Sequence, residues 1–107
     1  MRDTPLGPPE LLNRVVDYFH PLRVVLFGSR ARGESGPDSD IDLLVILDDD
    51  APADHLTLRA GWESRRGYDR PADVIPVRNA VYRRRARIAG TLAHEAEIDG
   101  IAVYERA

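Results

Sequence analysis

The stretch Asp40-Ile41-Asp42-Leu43-Leu44-Val45-Ile46-Leu47 decides how this chain folds. Beyond Asp42 its residues are apolar without alternation, so a strand over Ile41–Leu47 is buried on both faces and belongs in the middle of a sheet. At its start the alternation of a strand does matter. Asp40 and Asp42 point to one side and Ile41 to the other. Two carboxylates about 7 Å apart on one face repel each other. A hard divalent cation, magnesium or manganese, relieves that repulsion through oxygen ligands.

Working outward, Arg23-Val24-Val25-Leu26-Phe27 reads as a short strand ended by Gly28. Gly28-Ser29 then opens a Gly-, Ser- and Arg-rich loop to Ser39. Glycine lets a ligand approach the backbone. A helical turn starting at Ser29 would aim free amides at an anion, with Arg30 and Arg32 nearby to neutralise a polyphosphate. Downstream, Asp73-Val74-Ile75 opens a third strand, with Pro76 marking an edge or a strand end. If that strand lies beside the central one, Asp73 joins Asp40 and Asp42 as a third carboxylate around shared metal ions. A phosphate cradle beside a carboxylate clamp is the pairing that phosphoryl-type transfer requires.

The remaining elements frame this centre. Leu11, Val15 and Phe19 recur every four residues over a helix from about Pro9 to His20, stopped by Pro21. A second helix is expected over about Ala53–Arg66 with Gly67 as its stop. A third covers about Arg87–Asp99, with a shorter turn at Asn79–Arg84. Ile101–Tyr104 forms a last strand. Asp48-Asp49-Asp50 reads as a solvated turn, with Asp50 capping the following helix. The order predicts one small domain over 1–107, of α+β class, built as a two-layer mixed sheet with helices packed on it.

Composition narrows the chemistry. All fifteen Lys and Arg residues are Arg, which excludes lysine-dependent mechanisms, and the absence of cysteine excludes thiolate and disulfide chemistry. A net charge of −3 gives no basic excess for direct nucleic-acid binding. No apolar run is long enough to span a membrane, so a cytoplasmic location is expected. The cluster Arg83, Arg84, Arg85 and Arg87 reads as a solvated helix face, and Trp62 as packing at the core or its edge. His94-Glu95 lacks the second histidine of a zinc-protease helix, since Ile98 stands there.

The run Gly28-Ser29-Arg30-Ala31-Arg32-Gly33-Glu34 followed by Ser39-Asp40-Ile41-Asp42-Leu43-Leu44-Val45 resembles the signature of the DNA polymerase β superfamily of nucleotidyltransferases. The small size and the ending Ile101-Ala102-Val103-Tyr104-Glu105 are similar to its minimal nucleotidyltransferase branch. The stretch from about Ala51 to Pro71 departs from that pattern. The resemblance implies that Gly28 and Ser29 hold the β- and γ-phosphates of ATP. It also implies that Asp40 and Asp42 bind two magnesium ions and that Asp73 completes the catalytic one. Members of that branch act as antitoxins of HEPN-type ribonuclease toxins and adenylylate a tyrosine of the toxin. The first expectation is therefore AMP transfer from ATP to a partner's hydroxyl, the partner supplying the acceptor that so short a chain has little room to house. The alternatives are a non-catalytic module that neutralises a toxin by covering it, and nucleotidyl transfer to a small molecule, which would call for a homo-oligomer to build the acceptor pocket.

Overall fold

Three apolar residues at four-residue spacing, Leu11, Val15 and Phe19, are the buried residues of the first helix, α1 (Pro9–Phe19). Each such side chain contributes roughly 1.5–3 kcal/mol by leaving water. The helix ends one residue earlier than its pattern predicts. His20 takes a left-handed backbone, φ 49°, while its N–H still donates to Val16 O at 2.8 Å. Pro21 follows and forbids further helix. These coordinates are a computed structural model, which describes residues 9–28 and 41–107.

Four strands follow the predicted positions closely: β1 (Arg23–Phe27), β2 (Ile41–Leu47), β3 (Ala72–Arg78) and β4 (Ile101–Glu105). They form one sheet in the order β3-β2-β1-β4. β1 pairs antiparallel with β2 and with β4, whereas β2 pairs parallel with β3. The sheet is therefore mixed, and β2 is interior, as its unbroken apolar run demands. β3 lies at the edge, where Pro76 is harmless. The first rung, Ile41 N–H to Pro71 O at 3.4 Å, sets an alternation in which residues 73, 75 and 77 donate to β2. The missing N–H of Pro76 thus falls on the outer side.

Alternation along β2 divides the core in two. Ile41, Leu43, Val45 and Leu47 pack with α1 and with Ala60 of α2 (Leu58–Ser64). Leu44 and Ile46 pack on the other face with Tyr82 of α3 (Asn79–Arg85) and Ala93 and Ala96 of α4 (Leu92–Asp99). The α+β class and mixed sheet stand, but helices cover both faces where the sequence suggested two layers.

The helices differ from expectation at their starts. The predicted Ala53–Arg66 helix is a 3₁₀ turn, Ala53–Leu56, followed by α2. Thr57 is extended between them, and its Oγ1 accepts from Ala60 N at 3.0 Å, restarting the helix. The predicted Arg87–Asp99 helix begins only at Leu92, because Thr91 caps it through His94 N at 3.1 Å. Asp50 is not a cap. Asp49 does that work for a different helix, accepting the Ala80 N–H at the start of α3 at 2.7 Å, while Asp48 pairs with Arg106 at 2.9 Å. Arg83, Arg84, Arg85 and Arg87 are exposed, as a solvated face requires.

Candidate active site

The parallel pairing of β2 with β3 places Asp42 directly opposite Asp73. Each is the second residue of its strand. Adjacent strands lie about 4.8 Å apart, and residues in register send their side chains to the same face. Alternation identifies that face as the one bearing Leu44, Ile46, Ile75 and Val77, on the side of α3 and α4. Asp42 is half-buried there and Asp73 is exposed.

On the other side of β2, Phe27 of β1 is the register partner of Asp42. The chain leaves β1 at the next residue through Gly28, which is buried and has a left-handed backbone, φ +81°. A Cβ at Gly28 would stand 2.6 Å from Asp42 Oδ2. No side chain fits that position without displacing the carboxylate, so glycine is required by both backbone and space. The three strands thus bring Gly28, Asp42 and Asp73 into one row at one end of the sheet.

The other expected site residues, Ser29, Arg30, Arg32 and Asp40, lie outside the described residues. Among the described residues no group of three metal-ligating side chains converges. Asp42 and Asp73 alone supply two facing hard-oxygen donors beside a backbone cradle that a Cβ would fill. That donor set fits magnesium in its chemistry, since magnesium is held by one or two carboxylates together with substrate phosphates.

A feature that the sequence reading missed adjoins Asp73. A cavity of about 360 Å³ runs along the outer edge of β3, bounded by Leu58, Gly61 and Trp62 of α2 and by Asp73 and Ile75 of β3. Trp62, expected to pack at the core or its edge, is instead 52 % exposed on the wall of this groove. The helical spacing 58, 61, 62, 65 was the available signal, but it reads equally well as a core-facing stripe.

With this geometry in place, comparison with known proteins is informative. Residues 9–99 match the family described as "Nucleotidyltransferase domain". No protein of curated function matches the chain. Two solved structures share its fold. One is a Sulfolobus solfataricus protein assigned to the nucleotidyltransferases, 23 % identical with a TM-score of 0.56, covering 91 % of this chain and 76 % of that one. The other is a toxin–antitoxin assembly solved with AMP-PNP, 23 % identical with a TM-score of 0.60, covering 92 % and 73 %.

Proposed function

Since this chain belongs to the nucleotidyltransferase domain family, we propose that it transfers AMP from ATP to a protein hydroxyl in the presence of magnesium. The acceptor on this reading is a tyrosine of a cognate HEPN-type toxin, which makes the chain an antitoxin. The observation that carries the reading is the in-register facing of Asp42 and Asp73 across a parallel strand pair, against a glycine whose Cβ position is filled by Asp42 itself. The fold similarity to a toxin–antitoxin assembly solved with an ATP analogue supports the choice of nucleotide and partner.

On this reading the roles are those that the sequence motif implies. Gly28 and Ser29 hold the β- and γ-phosphates, and Arg30 and Arg32 balance their charge. Asp40, Asp42 and Asp73 would hold the magnesium ions. When bound, these ions neutralise developing charge on the phosphoryl oxygens and orient the triphosphate. Asp73 is exposed and faces the approaching acceptor. It takes the hydroxyl proton as the acceptor oxygen bonds to the α-phosphorus and the bond to pyrophosphate breaks.

The test is intact-mass measurement of a co-expressed toxin after incubation with the chain, ATP and magnesium. The expected result is a gain of AMP mass that Asp42→Asn abolishes. An unmodified toxin that is nonetheless fully neutralised, by wild type and Asp42→Asn alike, would point to the non-catalytic covering module.

A further inference from the structure

We propose that the groove between α2 and the outer edge of β3 is the acceptor subsite, and that it holds a phenolic side chain of the partner polypeptide against Leu58 and Trp62. This rests on the nucleotidyl-transfer reading above, and it adds a location and two residues that neither the family match nor the fold similarity assigns.

Leu58 and Trp62 stand one helical turn apart on α2, and both face water, at 82 % and 52 % exposure. A large aliphatic and the chain's single Trp left exposed side by side gain nothing for the folded chain alone. Tryptophan is among the residues enriched at binding hot spots. The Arg66 guanidinium sits 5.5 Å over the Trp62 ring and is itself paired with Glu63 at 3.3 Å, a contact that biases the indole towards this orientation. Gly61, between the two anchors, brings α2 so close to β3 that a Cβ there would lie 2.1 Å from Val74 O.

That contact also decides what kind of ligand fits. The outer edge of β3 is covered at the Val74 carbonyl by Gly61 and lacks an N–H at Pro76, so it cannot template a further strand. The groove accepts a side chain, not an added strand. Its wall is apolar at Leu58 and Trp62, and Asp73 lines the same cavity of about 360 Å³ across the strand edge. The Asp73 side chain lies on the α3 and α4 face, so a ligand on this wall must reach past the edge of β3 to meet the carboxylate. Arg65, the cation on this wall, directs Nη2 to the carbonyls of Tyr68 and Arg70, at 3.0 and 2.6 Å, so a triphosphate gains little there. An apolar body with a hydrogen-bond donor at its tip matches the slot, which describes a phenol.

Trp62 makes the test direct, because all indole fluorescence of this chain comes from it. The full chain is titrated with N-acetyltyrosinamide and separately with N-acetylserinamide, and selectively excited indole emission is followed. The tyrosine derivative should change the emission saturably and the serine derivative should not. Leu58→Ser, at a site 82 % exposed, should weaken that response at least about tenfold. It should leave the nucleotide-induced rise in melting temperature intact, and it should raise the KM for the toxin acceptor more than it lowers kcat. Equal responses to the two probes, or an undiminished response in Leu58→Ser, would overturn the proposal. AMP transfer to the toxin that is indifferent to Leu58→Ser would overturn it as well while sparing the transfer reading. Saturable phenol docking with no AMP transfer would count for the groove and against that reading.

Discussion

Gly28→Ala separates two roles that position 28 plays at once. Its φ of +81° is left-handed, which costs an L-residue about 1–2 kcal/mol. Alanine also restricts the unfolded chain, returning about 0.4–1 kcal/mol, so the net loss of stability is close to 1 kcal/mol. For a domain of this size that lowers the melting temperature by about 4–8 °C. The second role concerns Asp42. The new Cβ would sit 2.6 Å from Oδ2, the tip of a short side chain, so the carboxylate has to rotate to relieve the clash. That rotation carries Oδ2 away by roughly 1 Å, and a misplacement of that size in a reacting centre costs on the order of 100-fold in rate. Gly90→Ala is the matched control. Its φ is +93°, and nothing lies within 4 Å of its Cβ position. Thermal melts and AMP-transfer rates should therefore diverge: both variants melt lower by similar amounts, but only Gly28→Ala loses transfer. A Gly28→Ala protein that transfers AMP as fast as Gly90→Ala would refute the reasoning, because it would mean that the Asp42 carboxylate need not stay where Gly28 lets it lie.

Other consequences are smaller and separable. Asp73→Asn removes one of two facing carboxylates, so transfer should fall at least about 100-fold with no loss of thermal stability in metal-free buffer. In the wild type, magnesium at 100 times its dissociation constant should add about 2.7 kcal/mol of stability, seen as a melting shift that EDTA reverses and Asp73→Asn reduces. The Tyr82 phenol is pushed up from 10 to about 12, by burial first and then by its hydrogen bond to Glu97. The folded state therefore keeps a proton that the unfolded chain releases. Stability from this group is complete below pH 10 and is lost as pH rises towards 12, by at most about 3 kcal/mol; chemical denaturation across that window should show a slope that Tyr82→Phe flattens. Asp49→Ala removes the acceptor for the Ala80 N–H and should lower unfolding free energy by about 1 kcal/mol, measured from urea midpoints.

Much of this fold is legible in the sequence where local pattern and tertiary demand agree. β1 and β2 fall on the predicted residues because each is an apolar run with a sharp end, Gly28 for the first and Asp48-Asp49-Asp50 for the second, which leaves no competing register. The helices are less legible, since their starts depend on single hydroxyls. Thr57 and Thr91 each interrupt a predicted helix by accepting an amide three residues on, at 3.0 and 3.1 Å. Both threonines were visible, but the weak apolar periodicity around them gave no reason to divide the segment. Asp49 is a different case. Its partner amide is 31 residues away, so no local rule connects the two, and the nearer helix claims the cap by default.

The candidate site depends on a fact that strand propensity does not carry, the parallel sense of β2 and β3. Had the two strands paired antiparallel, Asp73 would face Ile46 rather than Asp42, leaving the two carboxylates about 14 Å apart. The parallel sense requires a crossover, and residues 48–71, which contain the least regular pattern in the chain, provide it. The same crossover supplies α2, and α2 supplies the wall of the groove that Asp73 also lines. This crossover is therefore the segment that both aligns the two carboxylates and shapes what can approach them. On the proposed reading, in which Gly28 and Asp42 grip the triphosphate from the far side of β3, a change in its length or in the Gly61 contact with Val74 should alter acceptor choice before it alters that grip.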